Sequence, residues 1–184
     1  MTGPAAPPEV SVLIVSWNTR ALTEACLDSL PASADPGTTY ETIAVDNGST
    51  DGSRELLRAR ADVRLLENDA NLGYAAAVNQ AYARASGRLI LLLNSDVELM
   101  PGSLGALVAF LEEHPDAAGV GPLYLNPDGT PQQHHFRLPT LAVLLAGHSA
   151  VLRRLPGLGA RMRRYRMLDD ELSEPRRVEQ PSAS

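Results

Sequence analysis

Lysine is absent from this 184-residue chain, and all sixteen basic residues are arginine. With a formal charge of −6 at pH 7, the chain lacks the basic face that a general nucleic-acid binder needs to displace counterions. Cysteine is reduced to Cys26, which excludes an intramolecular disulfide framework and any cysteine-rich zinc site. Cys26 falls at an apolar helical position and reads as inert core filling. The amino terminus has neither a basic n-region nor an apolar h-region, so residues 1–8 read as a floppy tail and not a signal peptide. The longest nearly uninterrupted apolar stretch, Leu141 to Leu152, is short of the ~20 residues that cross a bilayer. The expected location is the cytoplasm. No Gly-x-Gly-x-x-Gly follows the first strand, no Gly-Lys pair closes a phosphate loop, and no Gly-x-Ser-x-Gly elbow occurs. The histidines His114, His134, His135 and His148 lack metal-ligand spacing, and His134-His135 read as exposed loop residues.

What is present is an alternation of strands and helices. Val10–Ser16 is a short β-branched run of the kind buried on both faces. Asn18 or Thr19 caps a helix carrying Leu22, Ala25, Cys26, Ser29 and Leu30, which Pro31 is expected to stop. Residues 41–45 predict a second strand, followed by a turn over 47–52 and a helix with Leu56 and Leu57. Residues 63–66 predict a third strand, and residues 73–85 a helix with Gly87 as its cap. Leu89–Leu93 is the most apolar strand and is expected at the centre of the sheet. Pro101 is expected to open a helix ending near His114, before a fifth strand over 118–123 and a turn at 126–129 that joins a hairpin containing Gln132 to Phe136. Such alternation implies a mostly parallel sheet with helices on both faces.

Open parallel sheets bind ligands at the carboxyl ends of their strands. There the sequence places Ser16, Trp17 and Asn18; Asp46, Asn47 and Gly48; Asn68, Asp69, Asn71 and Gly73; and Asn94, Ser95 and Asp96. Turn chemistry accounts for part of this. It accounts less well for an acid directly after the most apolar strand, because desolvation penalises an unpartnered carboxylate. Asp96 is therefore a candidate ligand-site residue.

Four segments, 12–18 (VLIVSWN), 45–52 (VDNGSTDG), 71–79 (NLGYAAAVN) and 92–97 (LLNSDV), resemble in order and spacing the motifs of family 2 glycosyltransferases. The resemblance covers about residues 10–136, and the Asn-x-Asp variant is similar to the rhamnosyltransferase-like branch. It implies an α/β chain of GT-A (nucleotide-diphospho-sugar transferase) fold, incomplete at its C-terminus, with a donor domain over 9–136 and the start of an acceptor-side segment over 137–184. It implies that Asp46 reads the uracil or thymine edge of the donor, whose imide N–H needs an acceptor. Val15, Ser16 and Asn18 would line base and ribose, Asn79 and Asn94 would hydrogen-bond the nucleoside, and Gly73 would let backbone approach the ligand. Asp96 matches the last acid of the family's Asp-x-Asp motif and would hold Mg²⁺ or Mn²⁺ against the diphosphate. Asn94 stands where the commoner pattern has the first acid, so one anionic contact is missing.

The resemblance also implies an inverting enzyme, which needs a general base for the acceptor hydroxyl. No segment matches the family's downstream acidic motif. Asp169-Asp170-Glu171 is the one acidic cluster there, and it reads as a solvated loop or helix end. The implied function is transfer from a UDP- or dTDP-sugar, dTDP-rhamnose among them, to a lipid-linked or polysaccharide acceptor, by a parent protein of which this chain is a fragment. A non-catalytic nucleotide-sugar-binding module is the alternative. Charge is divided: residues 1–136 carry seven arginines against seventeen acids, and 137–184 nine against five. Within 140–166 an apolar stretch meets Arg153, Arg154, Arg161, Arg163, Arg164 and Arg166. That combination suits peripheral contact with anionic lipid at the inner face of the membrane, and suits equally a surface helix with solvated arginines.

Overall fold

The computed structural model describes residues 6–132, 135–141, 143–144, 158–165, 174–178 and 180–181. Chain compactness divides it into units 1–120 and 121–184. The first unit alternates β1 (Val10–Ser16), α1 (Arg20–Ser33), β2 (Tyr40–Asp46), α2 (Ser53–Ala59), β3 (Val63–Glu67), α3 (Tyr74–Tyr82), β4 (Leu89–Asn94) and α4 (Ser103–Glu113). All four strands are parallel, in the order β3-β2-β1-β4.

Side-chain alternation assigns the two faces. Val10, Val12 and Ile14 of β1, with Ala44 and Leu93, pack under Cys26, Leu27 and Leu30 of α1, Leu57 of α2, and Leu104 and Val108 of α4. The opposite face sets Leu13, Ile43 and Val45 against Ala77 and Ala81 of α3. Small alanines let that helix lie close to the sheet. Register carries the carboxyl ends of the strands to one edge: Ser16 lies opposite Asp46, Val15 opposite Asn94, and Asp46 opposite Glu67.

Several expectations are corrected. The most apolar strand, β4, is at the edge of the described sheet, and β1 and β2 are central. Leu89, Leu91 and Leu93 face the α1 and α4 side, whereas Ile90 and Leu92 are exposed on the other. Pro31 does not stop α1, which continues to Ser33. Proline removes the donor that the Leu27 carbonyl would take and crowds that carbonyl, and the helix runs only two residues past it. Ser33 Oγ donates to the Leu30 carbonyl at 2.7 Å and satisfies one terminal acceptor. Pro101 lies outside α4, whose N-cap is Gly102.

Helix α3 closes at Ala83 and not at Gly87. Gly87 is required for another reason: a Cβ there would stand 2.5 Å from the Ser11 amide nitrogen. Its own amide donates to Ser11 Oγ at 2.8 Å, which fixes the entry to β4.

Residues 118–123 form no strand. The turn at Asn126–Gly129 is present, closed by a 2.8 Å bond from the Asn126 N–H to the Thr130 carbonyl and by the Leu125–Pro131 bridge. In the second unit β5 (His135–Phe136) pairs antiparallel with β6 (Gln180–Pro181), and α5 spans Leu158–Tyr165. His134, His148, Arg153, Arg154, Arg166 and Asp169-Asp170-Glu171 lie outside the described residues.

Cys26 is fully buried, and burial pushes its thiol up to about 12, with Asp96 and Glu98 adding in the same direction. Such a thiol is not a nucleophile at neutral pH. His114 stacks on Phe110 at 4.1 Å and closes the end of α4.

Candidate nucleotide-sugar site

The loops that follow β1, β2 and β3 are joined by side-chain amides and carboxylates. Asn18 adopts φ +54°, a left-handed conformation that asparagine tolerates better than most residues. From there its Oδ1 accepts the Thr50 amide at 2.8 Å, and its own amide donates to Ser49 Oγ at 3.0 Å. Asp51 joins the starts of two helices, accepting from Ser53 Oγ (2.6 Å), the Ser53 amide (3.0 Å) and the Arg20 amide (2.9 Å). The bonds from Ser53 Oγ and the Arg20 amide hold its carboxyl below the ordinary range.

Between the second and third loops, buried Asn47 is the connector. Its Oδ1 accepts Asn68 Nδ2 at 3.0 Å and the Leu72 amide at 3.1 Å, and its Nδ2 donates to Asn71 Oδ1 at 2.9 Å. Asn71 Oδ1 also takes the Gly73 amide at 2.8 Å. Gly48 makes this approach possible: its φ is +83°, and a Cβ there would stand 2.7 Å from backbone atoms of Ala70. Gly73, at the start of α3, has φ +85° and ψ +156°, a region open essentially to glycine alone.

At the end of β2, Asp46 is fully buried. Its Oδ2 accepts the Ser49 amide at 3.2 Å and Arg54 Nε at 3.0 Å. Its Oδ1 is buried and has no hydrogen-bond partner among the described residues. A buried carboxylate oxygen in that condition carries a desolvation cost that a donor group on a ligand would relieve.

The remaining candidate residues are placed differently. Val15 is half-buried against the α3-side core. Ser16 is fully buried, and its hydroxyl is engaged with Thr23 Oγ1 at 2.9 Å and Thr19 Oγ1 at 3.2 Å, while its carbonyl takes the Asn47 amide. Its side chain therefore stabilises the edge from beneath. Thr19 starts α1 without a side-chain cap bond, because its hydroxyl faces Ser16, Thr23 and Ser95. Asn79 is exposed and sits two residues, about 200° of helix, from Ala77, so it points away from the sheet. Its neighbour Gln80 joins the amide network, bonding Asn68 at 2.9 and 3.1 Å.

Asn94 Oδ1 accepts the Tyr74 hydroxyl at 3.2 Å. Asp96, one residue past buried Ser95, is exposed. Among the described residues no three His, Cys, Asp or Glu side chains gather to hold a metal. Asp96 thus offers one exposed carboxylate, a hard oxygen donor, past the end of β4. That fits Mg²⁺ or Mn²⁺ where diphosphate oxygens and water complete the coordination, and it does not make an all-protein cage.

Sequence reading missed Arg54 and Gln80. A weak signal existed for the first, since an arginine in the first turn after the Asp46 loop folds back within reach of the strand end.

Comparison with known proteins places this edge in context. Residues 11–172 match the family described as "Glycosyl transferase family 2". The N-acetylglucosaminyl-diphospho-decaprenol L-rhamnosyltransferase of Mycobacterium tuberculosis is 35% identical over 122 residues, covering 60% of this chain and 39% of that protein. The undecaprenyl-phosphate 4-deoxy-4-formamido-L-arabinose transferase of Yersinia pestis is 34% identical over 118 residues, 60% of this chain and 36% of that one. The chain therefore spans well under half the length of these relatives. Among solved structures, Staphylococcus aureus TarS 1–349 in complex with UDP superposes with TM-score 0.52 and 26% identity, over 58% of this chain and 33% of that chain. The mannosyltransferase PcManGT of Pyrobaculum calidifontis, in complex with GDP-Man and Mn²⁺, gives 0.54 and 27%, over 68% and 38%. On the strength of the 11–172 match, and with the GT-A architecture of its structural neighbours, this chain belongs to glycosyl transferase family 2.

Proposed function

We propose that this chain carries the donor half of an inverting glycosyltransferase that takes a sugar from a UDP- or dTDP-sugar and delivers it to a lipid-linked or polysaccharide hydroxyl. The observation that carries this reading is the unpartnered, buried Oδ1 of Asp46 at the carboxyl end of a central strand. An acceptor-only oxygen there suits the imide N–H of uracil or thymine. The relatives named for decaprenol- and undecaprenyl-linked chemistry support a lipid-linked acceptor, and the L-rhamnosyltransferase among them supports a rhamnose donor, which we assign as dTDP-rhamnose.

The residues divide the work. Asp46 binds the base edge, and Gly73 opens α3 where backbone approaches the nucleoside. Asn94, steadied by Tyr74, faces the donor from β4. Asp96 would hold a divalent cation, which when bound offsets charge developing on the departing nucleoside diphosphate. Deprotonation of the acceptor is assigned to no described residue.

Calorimetry tests the site. UDP is expected to bind more tightly with Mn²⁺ than without it, and Asp96→Ala to remove that gain while leaving uridine affinity unchanged. Equal loss for uridine and UDP would move Asp96 out of the diphosphate role.

Helix α5 presents exposed Arg161, Arg163 and Arg164, with Met162 and Tyr165 half-buried. No helix of the described residues is long and apolar enough to cross a membrane. The proposed site of action is the cytoplasmic face, held there by peripheral contact. Vesicle flotation is expected to recover the chain with anionic liposomes and not with neutral ones. Recovery that ignores lipid charge would leave α5 a solvated surface helix.

A further inference from the structure

The base-reading carboxylate has a companion. Arg54, the second residue of α2, donates from Nε to Asp46 Oδ2 at 3.0 Å and from a terminal nitrogen to the Asn68 carbonyl at 2.6 Å. Its side chain is three-quarters buried. Glu67, which could compete for it, is 3.6 Å away and is taken by Arg58 through two bonds of 2.9 and 2.6 Å. Arg54 is thus clamped at both ends of its fork, between the end of β2 and the loop after β3.

We propose that Arg54 is a positioning residue for nucleobase choice: by occupying Asp46 Oδ2 and balancing its buried charge, it leaves Oδ1 as the one acceptor facing the base. This rests on the base lying against Asp46, as proposed above.

A carboxylate offers about four acceptor positions, and nothing in the group itself says which oxygen a ligand meets. Here the Ser49 amide and Arg54 both engage Oδ2. Because the guanidinium is planar and also bonded to Asn68, it holds the carboxylate plane against rotation. A buried carboxylate without a countercharge is costly, and Arg54 supplies that countercharge at Oδ2, with no bond to Oδ1.

The outcome is a fixed, acceptor-only oxygen. It suits a base with a ring N–H on its pairing edge, such as uracil, thymine or guanine. It opposes cytosine and adenine, which present a ring-nitrogen lone pair at the corresponding position.

The test compares UDP and CDP binding by calorimetry, with a thermal melt of each protein. Wild type is expected to prefer UDP by about tenfold or more, the range of one charged hydrogen bond. Arg54→Met is expected to bring the two affinities within about threefold of one another, mainly by weakening UDP. Arg54→Lys keeps a cation but cannot hold Asp46 and Asn68 together, and its preference is expected to fall between the two. If Arg54→Met does not fold, the reduced preference of Arg54→Lys carries the test. Equal weakening of UDP and CDP, or a wild-type preference in the variants, would make Arg54 a strut only and overturn the proposal. A wild type that binds UDP and CDP alike, or an Asp46→Asn variant that keeps the preference, would remove the base reading itself and Arg54's role with it.

Discussion

Asp46→Ala is expected to weaken UDP binding by about thirty- to a hundredfold, close to the loss of one hydrogen bond to a charged group, about 2–3 kcal/mol. The protein should remain folded. Oδ1 makes no internal bond, so its removal takes nothing from the native structure and relieves a desolvation cost. What is lost is the Oδ2 contact with Ser49 and Arg54. Arg54 retains the Asn68 carbonyl and is partly in contact with water, so it is not left as an isolated buried charge. These opposing changes should keep the melting temperature within about 5 °C of wild type, since 1 kcal/mol moves a domain of this size by about 2–4 °C. A calorimetric titration with UDP beside a thermal melt checks both halves. Full UDP affinity in a folded Asp46→Ala protein would take the nucleobase away from β2.

Gly48→Ala should do the reverse, with stability failing first. A left-handed backbone costs a residue with a Cβ about 1–2 kcal/mol. At Gly48 the added atom also meets Ala70 main chain at 2.7 Å and the Asn71 amide nitrogen at 3.0 Å, neither of which can swing aside as a side chain would. Relief requires moving residues 70–72, and that breaks the bonds by which Asn47 holds Leu72 and Asn71. A total of about 3–4 kcal/mol is expected, a fall of roughly 10 °C in melting temperature. Gly52→Ala is the internal control. Its φ is +90°, yet the nearest obstacle is the flexible Arg20 side chain at 3.1 Å. It should lose only the backbone share, about 1–2 kcal/mol. Differential scanning calorimetry of the two variants separates them, and equal melting temperatures would show that the approach of the Gly48 and Ala70 loops carries no strain.

The contrast between these two glycines illustrates what a sequence can reveal. Both fall in one turn-rich segment, and local composition marks both as turn residues. Only the fold shows that one of them lies against another chain segment. The strands β1 to β4 were legible because burial and β-branching leave a local pattern, and their ends located the candidate site for the same reason. The place of β4 was not legible. Five apolar residues in a row say that a strand is hydrophobic, not which neighbours it has, and Ile90 and Leu92 are exposed in the described sheet.

Helix phase separates two neighbours on α3: Asn79 is exposed, and Gln80 turns into the amide network with Asn68. Gly87 is not the cap that its place after the helix suggests, because a helix cap and a close approach to Ser11 leave the same residue in the sequence. Arg54 was missed because its value lies in two partners, Asp46 and Asn68, that only the sheet brings together.

The two ends of the β1–β4 pair are fastened by different chemistry. Ahead of the strands, Arg88 reaches Glu9 at 2.7 Å and Glu112 at 3.0 Å in exposed ion pairs. Past them, Ser16, Thr19, Thr23 and Ser95 form a chain of uncharged hydroxyls, largely removed from water. Dissolved ions weaken the first fastening and have almost no hold on the second. Ionic strength is therefore expected to loosen this pair from the end remote from Asp96, while the hydroxyl chain that ties Ser16 to Ser95 is left intact.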